Sequence, residues 1–155
     1  MLEQLQYLLD NDLMKYNPTT QQFVCVINKK IPFGRALNAL GHMTAGLVAL
    51  HSDHDPLRFQ TYVDKDGTEH PSISDNPFIV LKADNGNKIR TLRKALIEKG
   101  VPFTDFTDTM IEGTYAEQHD RTADTLEEDL EYHGICFFMN SLESREITKK
   151  FSLYT

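Results

Sequence analysis

An uninterrupted apolar, β-branched run, Phe23-Val-Cys-Val-Ile27, leads through a short basic loop straight into a helix built mostly of small residues. Such a run reads as a central strand covered on both faces. Asn28-Lys-Lys30 ends it, Pro32 and Gly34 punctuate the turn, and a helical pattern begins near Arg35. A helix that starts directly after a strand presents unpaired amides and partial positive charge, which suits an anion. Lys29, Lys30 and Arg35 add full charges at that place. On the helix, Leu37, Leu40, Thr44, Leu47 and Val48 share one side, assigned to the core. Arg35, Asn38 and His42 fall together on another side, continued by Ala45 and Ala49. A solvated face and the lining of a cleft are both open readings of that stripe.

The remaining elements alternate around this unit. Leu2, Leu5, Leu9 and Leu13 mark an amphipathic N-terminal helix within residues 1–20. It either docks on its own domain or forms a dimer contact or exchanged arm. Asp64-Lys-Asp-Gly67 joins Phe59–Val63 to Thr68–His70 as a β-hairpin insertion, since Asp-Gly supports the left-handed backbone of a tight turn. Phe78–Leu81 is a strand, Lys88–Lys99 a helix stopped by Gly100, and Val101–Phe106 another strand. In that helix Ile89, Leu92, Ala95 and Leu96 face inward, and Lys88, Arg90, Arg93, Lys94 and Lys99 face water. Residues 107–131 are acidic and irregular, read as a solvated loop with a short helix in preference to a cation site. Ile135–Met139 is again fully apolar. Ser141 can cap a helix over 142–150, and Phe151–Tyr154 closes as a short strand or docked tail. This order predicts an α/β domain over residues 21–155: three layers, α/β/α, around a mixed, about four-stranded sheet.

Composition narrows the function classes. The formal net charge of −7 disfavours non-specific nucleic-acid or membrane binding. No apolar run is long enough to span a bilayer, and the N-terminus is acidic, so a cytoplasmic location is expected. Cys25 and Cys136 sit in apolar strands and read as buried free thiols; a disulfide or metal pair is the minor alternative. His51, His54 and His70 match no ligand spacing, so no metal is expected, and no cofactor motif is present.

The strand FVCVIN, loop KKIPFGR and helix ALNALGHMTAGLVAL resemble the opening of the type II peptidyl-tRNA hydrolases. NPFIVLKAD, VPFTDFTD, GICFFMN and FSLY continue the order and spacing of that fold. The hairpin TYVDKDGTEHPSI and the segment TADTLEEDLEYHGI are more similar to a bacterial offshoot of the same fold, the domain of unknown function 2000 family. The resemblance puts Gly34 at the loop glycine and Arg35 at the first lysine of the hydrolases. Leu37 and Gly41 stand where they have a second lysine and a glutamine. Asp108 matches an aspartate, and Ile111 and Glu112 replace an arginine and a threonine. The resemblance also implies homodimers.

Three functions follow as expectations. The first is a protein that lacks the hydrolase activity and binds a small anionic or nucleotide-like ligand, or a protein partner, at the strand-loop-helix cleft. Gly34, Arg35, Asn38, His42 and Asp108 would line that cleft, with Lys29 and Lys30 as further ligand-binding residues. The second is an active hydrolase of an ester or amide on a nucleotide-type carrier, with Arg35, His42 and Asp108 as its catalytic residues. tRNA as the carrier is disfavoured by the net charge. The third is a structural or dimerisation module acting through the N-terminal helix.

Overall fold

The computed structural model describes residues 1–6 and 19–155. Its main sheet has five strands in the order β5-β6-β1-β4-β7. They are β1 (Gln21–Asn28), β4 (Phe78–Ala83), β5 (Phe103–Thr107), β6 (Tyr132–Asn140) and β7 (Ser152–Leu153). β1 pairs parallel with β4 and antiparallel with β6, so the sheet is mixed, as expected. The fifth strand is β7, where the C-terminal tail pairs Leu153 with Leu81 on the β4 edge. β2 (Phe59–Val63) and β3 (Glu69–Ser74) form a separate hairpin whose turn glycine, Gly67, has φ 83°.

Among the described residues, α1 (Phe33–Leu50), α2 (Gly86–Lys99), α3 (Tyr115–Ala123) and α4 (Ser141–Thr148) complete the layers. β1 alternates between two cores. Phe23, Cys25 and Ile27 face α1, while Val24 and Val26 face α2. Each such buried aliphatic or aromatic side chain contributes about 1.5–3 kcal/mol. Cys25 and Cys136 are directly opposed on β1 and β6 and are free thiols. Their mutual hydrogen bond and burial push the Cys25 thiol up.

Several sequence expectations are corrected. α1 starts at Phe33, with Pro32 as its N-cap residue, rather than near Arg35. Its buried face is Ala36, Ala39, Met43 and Leu47, whereas Leu37 is exposed. The small residues face the sheet because the helix backbone lies close to it. Thr104 of β5 donates its hydroxyl to Met43 O at 2.7 Å, and a Cβ on Gly46 would meet Thr104 Cγ2 at 3.3 Å. The cap of α4 is Asn140, which accepts from the amides of Leu142 and Glu143, and not Ser141. Ser141 instead ties its own amide and hydroxyl to Thr20 O. Arg90 and Arg93 do not simply face water. They lie over Tyr132 and pair with Glu127 and Asp105. Of the N-terminal amphipathic helix, residues 2–6 are helical with Leu2 and Leu5 exposed; Leu9 and Leu13 fall outside the described residues.

Two glycines mark where helices touch strand backbone. A Cβ on Gly86 would lie 3.0 Å from both Tyr132 N and Tyr132 O. On Gly134 it would meet Met43 Cε at 2.6 Å, the free end of a flexible side chain. Gly86→Ala is therefore expected to destabilise by about 1–3 kcal/mol, and Gly134→Ala by less, because Met43 can swing aside. Urea unfolding of both variants checks the order; a neutral Gly86→Ala would refute the close approach.

Candidate functional site

The C-terminal end of β1 is held by Asn28, which is fully buried. Its amide donates to Tyr132 O at 3.2 Å, and its Oδ1 accepts from Lys30 N at 3.0 Å. Lys29 N donates to Ala83 O at 2.9 Å. One asparagine thus ties the loop to β6, and the adjoining backbone ties it to β4. α1 then begins with no side-chain cap and no acid in its first turn. The first amide paired within the helix is that of Ala36, to Pro32 O at 3.0 Å. The amides before it remain available to an anion.

The residues expected from sequence divide into two groups. Lys29 turns towards β4 and pairs with Asp84 at 2.7 Å. Lys29 and Lys88 together hold the Asp84 carboxyl down at about 2. Lys30 is exposed. Gly34 is an ordinary helical residue with open space where a Cβ would be, so no backbone requirement for glycine exists there. Arg35, Asn38 and His42 are exposed along one stripe of α1 that faces β5. Arg35 Nη2 reaches Glu112 Oε1 at 3.0 Å, and the His42 ring stacks on Phe106 at 5.9 Å. Asp108 follows β5. Its amide donates to Glu131 O, and its Oδ1 accepts from Glu131 N, both at 3.0 Å. One oxygen of Asp108 is thereby committed to holding the start of β6.

The segment after β5 is firmly placed. Hydroxyls of Thr107, Thr109 and Thr122 form a chain with 2.8 Å links. Arg121 donates to Thr109 O at 3.1 Å and to Glu112 O at 3.0 Å. Thr114 and Glu117 cap α3 reciprocally. The acidic stretch is thus a capped helix with short turns, as expected in outline. Among the described residues no group of three His, Cys, Asp or Glu side chains could hold a metal ion. His51 bonds Leu47 O and His70 bonds Asp64 instead.

One residue at this end escaped the sequence reading. The β5–β6 ladder pairs Phe106 with Gly134 and Thr107 with Tyr132, so His133 is the extra residue of a β-bulge. The bulge shifts the alternation. Ile135 and Tyr132 both pack on the α2 side, which leaves His133 to the side of Arg35, Asp108 and Glu131. His133 is 5% exposed, and its Nδ1 is buried with no hydrogen-bond partner. Burial is the main cause that holds the ring below its ordinary 6.5, against the opposing pull of Glu131 and Asp108; Arg35 adds to the lowering. The ring is neutral at pH 7. The sequence signal was Gly134 inside an apolar strand pattern, which marks a bulge or a close approach.

An unpaired buried nitrogen costs about 1–3 kcal/mol in stability and asks for an explanation. Because the folded state binds the His133 proton more weakly than the unfolded state, its contribution is complete above pH 6.5 and is lost as pH falls below it. His133→Gln is therefore expected to unfold with a flatter stability profile between pH 7 and pH 5 than the wild type. Chemical denaturation at each pH measures this, and parallel profiles would show that His133 is not held neutral.

No curated protein matches the chain. A solved structure of a protein of unknown function, Atu0240 from Agrobacterium tumefaciens strain C58, shares the fold at a TM-score of 0.75 and 16% identity, covering 88% of this chain and 98% of that one. No helix among the described residues is long and apolar enough to cross a membrane. The profile of a family described as "Protein of unknown function (DUF2000)" matches residues 21–155, and the chain belongs to that family.

Proposed function

We propose that this protein binds a small anionic or nucleotide-like ligand where α1 begins, on a type II peptidyl-tRNA hydrolase-like fold that lacks the hydrolase activity. The carrying observation is a pairing. An eighteen-residue helix starts with uncapped amides, and the buried, unpartnered Nδ1 of His133 lies on the same side of the sheet as Arg35. Among the described residues Arg35 is held by an ion pair with Glu112 in which the side chains are 49% and 73% exposed. Such a pair contributes at most about 1 kcal/mol, so a ligand anion can displace Glu112. Loss of the inherited reaction is supported by Leu37 and Gly41, which stand at the positions of the second lysine and the glutamine. Two free thiols favour a reducing, cytoplasmic setting.

A second reading, ester or amide hydrolysis on a nucleotide-type carrier, is favoured by His133 itself. A neutral imidazole can accept a proton from an attacking water while Arg35 and the helix amides hold the developing oxyanion. His42 and Asp108 would then orient the water.

Titration calorimetry with adenosine monophosphate and with inorganic phosphate tests the first reading. Arg35→Ala is expected to weaken binding at least about tenfold, equivalent to about 1.4 kcal/mol. Glu112→Ala is expected to tighten it by removing the competing carboxylate. An unchanged affinity in both variants overturns the proposal. Turnover of an N-blocked aminoacyl ester that is lost in His133→Gln would establish the second reading instead.

A further inference from the structure

Beside the first two turns of α1, on the side away from Arg35, lies a cavity of about 230 Å³. Ile27 of β1 and Val80 of β4 line it from the sheet, Ala36, Leu37 and Leu40 from α1, and Tyr154 from the tail that follows β7. Its origin is the register of α1. Ala36, rather than a bulky residue, faces the sheet here, so the space beneath the helix is not filled. Phe33 also lines the cavity and is 64% exposed, and Leu37 is 52% exposed. Two large apolar side chains therefore stand at its rim in water. The lining holds no charged side chain. An apolar cavity of about 150 Å³ is enough to take up benzene, so this one has room for an aromatic ring with a short substituent or for a short acyl chain.

The cavity and the uncapped helix start are parts of one surface. Phe33, the first residue of α1, and Ala36, whose amide makes the first helical hydrogen bond, both line the cavity, whereas the Arg35 side chain lies on the other side of the helix with Glu112. Ile27 lines the cavity, and the next residue, Asn28, holds the loop over which the helix begins. An apolar group seated in the cavity is tethered within one helical turn of the uncapped amides, which select an anion. A cationic head would be repelled by those amides. A wholly apolar occupant would leave them unused.

We infer that the ligand of this site is amphiphilic: a carboxylate or phosphate head at the start of α1, joined to an aryl or short acyl body that fills the cavity. This rests on the anion-binding reading above and names the chemical class of that ligand.

The test is calorimetric titration of the full chain, at one ionic strength, with phenyl phosphate, inorganic phosphate, 4-phenylbutyrate, acetate and phenylethylammonium. Each aryl anion is expected to bind at least ten times more tightly than its small counterpart, and the ammonium not to bind. Comparison of phenyl phosphate with 4-phenylbutyrate identifies the head. Ala36→Leu, which fills the cavity, and Leu37→Glu, which charges its rim, are each expected to bring the ratio of phenyl phosphate to inorganic phosphate affinity towards one. Thermal melting verifies that both variants fold. Equal affinities for phenyl phosphate and inorganic phosphate in the wild type would overturn the amphiphile while leaving the anion site standing. Phenylethylammonium binding as well as the aryl anions would overturn both. Aryl binding that weakens with rising protein concentration, together with a doubled mass, would assign the cavity to a second copy of the chain.

Discussion

Met43 reaches across from α1 to the space above Gly134, while Ala36 and Ala39 let the helix backbone settle onto β1 and β6. Interiors are packed to crystal-like density, so the height of a helix above a sheet is set by the side chains trapped between them. Here two of the four buried side chains of α1, Ala36 and Ala39, are small, Met43 lies over a glycine, and the hydroxyl of Thr104 reaches the helix backbone at Met43 O. The rest of the α1 layer follows from that approach. It fixes which stripe of α1 is turned away, so Arg35, Asn38 and His42 run along the β5 side. It places the uncapped start of the helix over the end of β1. It also leaves the unfilled volume beneath Ala36 and Leu40 on the β4 side.

The opposite layer is organised by Tyr132. Its ring is buried and covered by the guanidinium groups of Arg90 and Arg93, and its hydroxyl donates to Glu127 at 2.9 Å. Burial first, and this hydrogen bond second, push the phenol up to about 12. Arg90 in turn donates to Leu130 O and so holds the approach to β6. Tyr132 can occupy this layer only because the bulge at His133 shifts the alternation by one residue. Anchoring an aromatic ring on one side of the sheet and turning a histidine to the other are thus two consequences of one extra residue. The site end of the sheet is coupled to the acidic segment through the same element, since Glu131 is bonded to Asp108 in both directions.

Helix and strand identities were legible because they rest on local periodicity. Phe23–Ile27, Phe78–Leu81 and Ile135–Met139 are apolar without interruption, and each lies within a strand of the main sheet. Gly100, with φ 66°, stops α2 as its position in the pattern indicates. Leu37 misled the reading because hydrophobicity is a poor guide to which helical face lies inward when the helix must sit close to a sheet. Arg90 and Arg93 misled it because a basic residue can solvate a face or fold over a distant aromatic ring. The sequence pattern is the same in both cases. Gly34 was read as a turn glycine from its neighbours, although its backbone is helical.

The sequence by itself determined the α/β alternation, the hairpin at Asp66-Gly67, the apolar central strand and the basic loop before α1. Each depends on residues within a few positions of one another, whose spacing sets helix, strand or turn. Only the tertiary structure decided that Ala36 and Met43 face the sheet, that Lys29 is spent on Asp84, and that a cavity opens beside Phe33. It alone turned His133 into a buried, unpaired side chain. Those outcomes are set by contacts between segments far apart in the chain, where close packing and a one-residue mismatch between β5 and β6 choose the direction each side chain takes.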